Sequence, residues 1–217
     1  MAKTAVVVGA TGLVGEELVK QLIRSDGFDK VVTVTRRSLD IESDKHQNHI
    51  INFEQLDQHA DLIKGDMLFS CLGTTRKQAG SIAAQRRIDY DYQLQIAQLA
   101  AKNNVSHYLL VSSSGANAKS SAAYMKMKGE LEEQVKQLPF KRVSIFQPSL
   151  LTGKRKETRT GEGIAAYIMP VLCKLTFLRK YRPITGKQVA SKMLEVSLSK
   201  GKTLEYFVLD DVFPKTP

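Results

Sequence analysis

Tyr124 and Lys128 stand four residues apart in the run Tyr124-Met125-Lys126-Met127-Lys128. On a helix, that spacing puts both side chains on one face. No other tyrosine has a lysine at this offset. A phenol hydroxyl can hand a proton to a carbonyl oxygen, but its free pKa is about 10. A nearby ammonium favours the phenolate and brings that proton within reach of working pH. Upstream, Val111 leads into Ser112-Ser113-Ser114-Gly115, where a serine hydroxyl could hold the oxygen that receives the proton. Tyr-x-x-x-Lys alone is weak evidence, because any basic helix can contain it by chance. The bland alternative is a surface helix with Tyr124 packed and Lys128 solvated. The weight of the pattern comes from the elements around it.

The first of these elements is Ala5-Val6-Val7-Val8-Gly9-Ala10-Thr11-Gly12-Leu13-Val14-Gly15. An apolar strand runs into three glycines, and an amphipathic helix pattern follows from Glu16 to Ile23. Gly9 permits a tight turn, Gly12 lets backbone approach a pyrophosphate, and Gly15 lets the helix pack close to the strand. The helix start then offers free N–H groups to an anion. A glycine turn without a ligand is the competing reading, and its strand-to-helix position argues against it. The next strand ends at Thr35 and continues Arg36-Arg37-Ser38, with no carboxylate before Asp40. A carboxylate there would accept from a ribose 2′-hydroxyl. Two guanidiniums suit a 2′-phosphate instead. The expectation is NADP(H) in preference to NAD(H), with Arg36 and Arg37 on the phosphate. A solvated basic loop is the alternative.

Strand and helix patterns alternate along the whole chain. Strands are expected near 4–9, 30–35, 49–53, 66–72, 107–113, 142–147 and 204–209. Helices are expected near 12–25, 56–63, 81–103, 121–138, 162–177 and 187–199. Such alternation predicts an α/β fold, a Rossmann-like doubly wound parallel sheet of about seven strands with helices on both faces. Strand carboxyl ends then line one crevice, which brings the serines beside the glycine turn. Residues 1–217 form one expected domain, with 153–217 supplying much of the substrate side. The stretch 153–163, rich in charge, threonine and glycine, reads as a mobile loop over the site.

The chain of 217 residues is 42% hydrophobic and 25% charged, as suits a soluble domain with a substantial core. Its net charge of +10 is spread over scattered pairs. No helix is basic along one face and no aromatic-basic RNA motif occurs, so no nucleic-acid partner is expected. The longest apolar stretch, 164–178, is too short for a bilayer and contains Pro170 and Lys174. Cys71 and Cys173 make no disulfide framework, and with no leader read before the first strand the expected location is cytoplasmic.

Three stretches together resemble the short-chain dehydrogenase/reductase superfamily, in particular the atypical branch of Tat-interacting-protein-like oxidoreductases. They are Gly9 to Gly15, Ser70-Cys71-Leu72-Gly73-Thr74-Thr75-Arg76, and Tyr124 to Glu130. Phe146-Gln147-Pro148-Ser149-Leu150-Leu151 and Pro183-Ile184 add to the likeness, which covers nearly the whole chain. By this resemblance Gly9, Thr11, Gly12, Leu13 and Val14 line the pyrophosphate, and Arg36 and Arg37 the adenosine ribose phosphate. Cys71, Leu72, Gly73 and Thr74 flank the nucleotide. Lys128 holds the nicotinamide ribose, and Gln147, Pro148, Ser149 and Leu150 border the nicotinamide. The catalytic set is Ser113, Tyr124 and Lys128, with Ser114 and Ser112 as alternatives for the serine. Asn52 and Gln147 depart from the pattern: many relatives carry an acidic residue and an arginine there.

Cys71 reads as a small buried residue, since no histidine or second cysteine is placed to activate it. His46, His49 and His59 lack companion carboxylates in a ligand pattern, so no metal is expected. Arg76 and Lys77 are either surface charge or contacts for an acidic substrate. The leading functional expectation is an NADP(H)-dependent oxidoreductase acting on a small carbonyl or alcohol. A non-catalytic NADP(H)-binding regulator and an epimerase or dehydratase on the same fold are the alternatives. A monomer and a homodimer are both open, the latter pairing the helices at 81–103 and 121–138.

Overall fold

The computed structural model describes residues 3–153 and 179–214. The expected helix at 162–177 and nearly all of the 153–163 loop lie outside the described residues. Seven strands form one sheet: β1 Lys3–Val8, β2 Phe28–Thr35, β3 His46–Ile50, β4 Met67–Ser70, β5 His107–Val111, β6 Arg142–Gln147 and β9 Leu204–Val208. Their order is β3-β2-β1-β4-β5-β6-β9, and every neighbouring pair is parallel. A second, two-stranded sheet pairs β7 Leu151–Thr152 with β8 Ile184–Thr185.

The apolar runs explain the layering. Successive side chains of a strand point to opposite faces. Val6 and Val8 enter one core with Val32, Val34, Leu68 and Leu110, while Ala5 and Val7 enter the other with Val31, Phe69 and Leu109. Strands buried on both faces need continuous apolar sequence, and that is how these strands read. Helix α1 (Leu13–Arg24) covers the second face through Leu18, Val19 and Leu22. It is joined there by α6 (Gly186–Leu198) through Val189, Ala190 and Met193. On the first face lie α4 (Tyr92–Lys102), through Ile96, Ala97 and Ala100, and α5 (Ala123–Val135), through Leu131 and Val135.

In place of the helix expected at 56–63, Phe53–Leu62 forms short 3₁₀ turns, kinked where Gln55 and His59 leave helical geometry. Asn52, the departure noted near the adenine side, accepts the Glu54 N–H at 3.0 Å and so starts these turns. The long helix expected at 81–103 divides into α3 (Ile82–Arg86), a π turn over Arg87–Asp91, and α4. A short helix that the pattern did not predict, α2 (Arg76–Ala79), precedes them.

The strand order reverses between β1 and β4, since β2 and β3 lie to one side and β5, β6 and β9 to the other. Ligands of open α/β sheets bind outside the strand ends at such a switch point. Gly9 follows β1 and Cys71 follows β4, so the two motifs that open and flank the crevice meet there. The Cys71 N–H donates to the Val8 carbonyl at 2.9 Å.

Candidate active site

The glycine turn is shaped by close backbone approach. Gly9 has φ +77°, and a Cβ there would sit 2.4 Å from the Cys71 carbonyl carbon. A Cβ on Gly15 would sit 2.2 Å from the Gly9 carbonyl oxygen. Glycine is therefore required at both positions by neighbouring main chain. Helix α1 begins at Gly12 without a side-chain cap, and its first N–H groups have no partner within the helix. By contrast Thr75, Ser81 and Thr185 cap α2, α3 and α6. Thr11 and Gly12 are exposed, while Val14 is buried beneath them. A cradle of exposed backbone at an uncapped helix start fits a pyrophosphate. Leu13 closes the far side. A Cβ on Gly186 would meet the Leu13 carbonyl oxygen at 2.3 Å, and one on Gly153 the Leu13 Cδ1 at 2.4 Å.

Arg36 and Arg37 are exposed just beyond β2, and neither is ion-paired among the described residues. The Thr35 hydroxyl donates to the Arg37 carbonyl at 2.7 Å and fixes the turn that carries them. After β4, Cys71 and Leu72 are half-buried and Gly73 is exposed. Burial pushes the Cys71 thiol up to about 12, against an opposing pull from Lys128. A thiol so held is not a nucleophile at neutral pH.

Tyr124 and Lys128 share the first turns of α5. The Lys128 Nζ lies 6.0 Å from the centre of the Tyr124 ring. Lys128 is 2% exposed, so the surface-helix alternative fails for it. Its partner is Asp89, which the sequence reading did not single out. Asp89 is fully buried on the π turn, with Oδ1 3.0 Å from the lysine Nζ. The other oxygen accepts the Thr74 N–H at 3.1 Å. Burial pulls the Lys128 ammonium down, but Asp89, Tyr124 and Glu132 together raise it above the ordinary lysine value. Removing one member of such a buried pair strands the other charge, at a cost of about 3–5 kcal/mol.

The three serines separate by what they touch. The buried Ser112 hydroxyl donates to Glu132 on α5. Gln147, at the end of β6, donates to both oxygens of the same carboxylate at 2.9 and 3.0 Å. Burial pushes the Glu132 carboxyl up, and these two donors offset only part of that. Ser112 and Gln147 are therefore tied to Glu132. Ser113 is half-buried, and among the described residues its hydroxyl makes only a long contact of 3.5 Å with the Ser114 carbonyl. The loop after Ser113 lies along α5: the Asn117 N–H donates to the Met125 carbonyl at 3.0 Å, and a Cβ on Gly129 would meet the Ala118 nitrogen at 2.2 Å.

The segment after β6 is joined to the rest of the crevice. The Ser114 N–H donates to the Pro148 carbonyl at 3.1 Å. The Ser149 hydroxyl donates to the Arg182 carbonyl, and the Ile184 N–H donates to the Leu150 carbonyl at 3.0 Å. Pro148 is buried, and Gln147, Ser149 and Leu150 are half-buried. Arg76 and Lys77 are exposed on α2. His46 bonds Thr33 and the Ile41 carbonyl at 2.9 and 3.0 Å. Among the described residues no cluster of three or more His, Cys, Asp or Glu side chains is placed to hold a metal. Nor is any described helix long and apolar enough to cross a membrane.

A family model described as NAD(P)H-binding matches residues 9–163. The chain belongs to this NAD(P)H-binding family. Protein HTATIP2 of Rattus norvegicus is 40% identical over 167 residues, covering 75% of this chain and 69% of its own length. The mitochondrial protein FMP52 of Candida glabrata is 36% identical over 206 residues, 92% of this chain and 87% of its own. Among solved structures, MoeE5 in complex with UDP-glucose and NAD superposes with a TM-score of 0.71 at 16% identity. That match covers 96% of this chain and 79% of MoeE5 and bears on the fold alone. The family and the fold support an oxidoreductase-like protein with a nicotinamide cofactor, on the atypical short-chain branch that the motifs resemble. The cytoplasmic expectation is corrected, because fungal relatives matching most of this chain are named as mitochondrial proteins. A scarcity of cysteine pairs reports a reducing environment, which is not an address.

Proposed function

We propose that the protein is an NADP(H)-dependent oxidoreductase that moves a hydride to or from a small carbonyl or alcohol. The observation that carries this reading is the Tyr124–Lys128 pair, with its lysine buried and joined through Asp89 to the Thr74 N–H of the segment that packs on the glycine turn, in a chain of a nicotinamide-binding family. A solvated lysine would have argued for a surface helix. When bound, the cofactor supplies the hydride. Gly9, Thr11, Gly12, Leu13 and Val14 hold its pyrophosphate with main chain. Arg36 and Arg37 take the 2′-phosphate, since both guanidiniums stand exposed where an NAD-specific site would place a carboxylate. Cys71, Leu72, Gly73 and Thr74 flank the nucleotide, and Gln147, Pro148, Ser149 and Leu150 border the nicotinamide.

Tyr124 gives its hydroxyl proton to the substrate oxygen, or takes it back in the reverse direction. Lys128 orients the ribose and sets a positive charge beside the Tyr124 ring. Ser113 holds the substrate oxygen. It is preferred because Ser112 is committed to Glu132, and Ser114 is the second choice. The whole chain acts as one nucleotide-binding domain, with residues 153–217 supplying much of the substrate side and Arg76 and Lys77 favouring an acidic substrate. A screen of carbonyl compounds for NADPH oxidation tests the reading, with Tyr124→Phe as control. Turnover that needs Tyr124 supports it. Tight NADPH binding with no turnover of any compound would favour the regulator instead.

A further inference from the structure

One face of β2 and β3 carries a polar ladder that belongs to none of the motifs. Thr33 and Thr35 are 0% and 4% exposed, and alternation puts them on the same face as Val31. In parallel register Val31 stands beside His46 and Thr33 beside Asn48, so His46 and Asn48 share that face. Leu39 and Ile41, from the loop after β2, pack against the same core. The Thr35 hydroxyl reaches the Arg37 carbonyl at 2.7 Å. Asn48 Oδ1 stands 3.0 Å from Thr35 Oγ1 and 2.7 Å from Thr33 Oγ1. Thr33 Oγ1 lies 2.9 Å from His46 Nε2, and His46 Nδ1 lies 3.0 Å from the Ile41 carbonyl. We propose that His46, Thr33, Asn48 and Thr35 form one hydrogen-bonded relay that positions the Arg36-Arg37 turn for the 2′-phosphate of NADP(H). It rests on the reading that these arginines take that phosphate.

Counting protons sets the direction of the relay. A carbonyl oxygen only accepts, so His46 Nδ1 carries a proton for Ile41, and Thr35 gives its single hydroxyl proton to Arg37. With His46 neutral, Nε2 is an acceptor, and Thr33 gives its own proton there. Both threonine oxygens then face Asn48 as acceptors. A half-turn of the Asn48 amide, which hardly moves its atoms, brings Nδ2 to them, and its two protons serve both. Every group in the chain now has a partner, as buried polar groups require. The opposite amide orientation makes Thr33 donate to Asn48, so both ring nitrogens of His46 need a proton. It also sets the Asn48 oxygen against the Arg37 carbonyl for the one proton of Thr35. The relay therefore ends on two main-chain carbonyls, Arg37 and Ile41, that bracket the start of the loop. It grips the turn by its backbone and leaves both guanidiniums exposed for a ligand.

Protein with ¹⁵N-labelled histidine reads the relay by NMR. The chain has four histidines, and His46→Leu assigns the signal. At about pH 8, where an ordinary imidazole is neutral, the His46 ring should carry its proton on Nδ1. A proton on Nε2, or on both nitrogens, would overturn the proposal. Cofactor titration reads the positioning. Thr35→Val keeps the shape of the side chain and removes the donor to Arg37. The ratio of NADPH to NADH affinity should then fall by about fivefold to tenfold, the worth of one hydrogen bond. Thr35→Ser restores the hydroxyl and should restore the ratio. His46→Leu releases the Ile41 carbonyl and should lower the ratio by about threefold. A merely structural relay would lower the melting temperature and weaken both cofactors alike. An unchanged ratio in Thr35→Val would therefore overturn the proposal, and if that variant does not fold, His46→Leu decides in its place. Arg36→Ala combined with Arg37→Ala separates the two readings. If it leaves the ratio unchanged, the arginine reading fails and the proposal fails with it. If it lowers the ratio and Thr35→Val does not, the relay alone fails.

Discussion

Gly15→Ala sets two known effects against each other. Within a helix, alanine in place of glycine is favourable by about 1 kcal/mol, and Gly15 lies in the first turn of α1. The new Cβ, however, would stand 2.2 Å from the Gly9 oxygen, 2.8 Å from the Gly9 carbonyl carbon and 2.9 Å from the Ala10 Cα. All three are main-chain atoms of the turn between β1 and α1. No side chain can swing aside to make room, so the helix start must move away from the strand. Overpacking of this kind costs about 1–3 kcal/mol, and the backbone nature of the clash puts it at the upper end. The net loss is then about 2 kcal/mol, taking the upper overpacking figure less the propensity gain. With a urea m-value of about 2 kcal/mol/M, the unfolding midpoint should fall by about 1 M. The displaced N–H groups should also weaken NADPH binding by at least about tenfold, roughly 1.4 kcal/mol. Gly80→Ala is the matched control. Its φ of +88° strains an alanine, but no atom lies within 4 Å of the new Cβ. It should cost about 1–2 kcal/mol and leave NADPH binding alone. A Gly15→Ala protein as stable as the wild type, binding NADPH equally well, would refute the close-approach argument.

Other expectations follow from the charges. Arg36→Ala combined with Arg37→Ala should weaken NADPH binding by about tenfold to a hundredfold, at roughly 1.5–3 kcal/mol for a charged hydrogen bond. NADH binding should be unchanged, and equal loss for both cofactors in a fluorescence titration would place the arginines elsewhere. Burial, with Arg142 and Lys3 adding to it, lowers His107 to about 3. Its folded value lies below its unfolded one, so it contributes stability that is complete above about pH 6.5 and lost as pH falls towards 3. Urea midpoints measured between those limits should fall in the wild-type protein and flatten in His107→Gln. An unchanged slope in the variant would assign the acid sensitivity to other groups.

The parts of this molecule that were legible in the sequence are those set by local pattern. Buried parallel strands must be apolar on both faces, so Val6, Val8, Leu68 and Leu110 announce the sheet. Gly9 and Gly15 are forced by main-chain contacts, and Tyr124 and Lys128 by helical spacing. What the pattern missed depends on partners far away in the chain. Asp89 sits in an amphipathic run where a charged residue reads as solvated. Only a π turn, which shifts the helical phase by one residue, turns it inward to Lys128. The sequence favours Ser113 but leaves the three serines ambiguous, because what separates Ser112 from Ser113 lies in Glu132, a helix away. The β7–β8 pair is two residues long in each strand, too short to show alternation. The kinked 3₁₀ turns of Phe53–Leu62 differ from an α-helix in hydrogen bonding and hardly at all in composition.

The central claim is hydride transfer with Tyr124 as proton donor, and isotope transfer tests it most directly. NADPH deuterated at the transferring carbon is incubated with the compound turned over fastest in the carbonyl screen, and the product is read by mass spectrometry and NMR. Deuterium should appear on the former carbonyl carbon. Tyr124→Phe should slow this transfer by about 10²–10⁴-fold, the usual contribution of a positioned acid, while still binding NADPH. Product without deuterium on that carbon, or transfer at the wild-type rate in Tyr124→Phe, would contradict the claim.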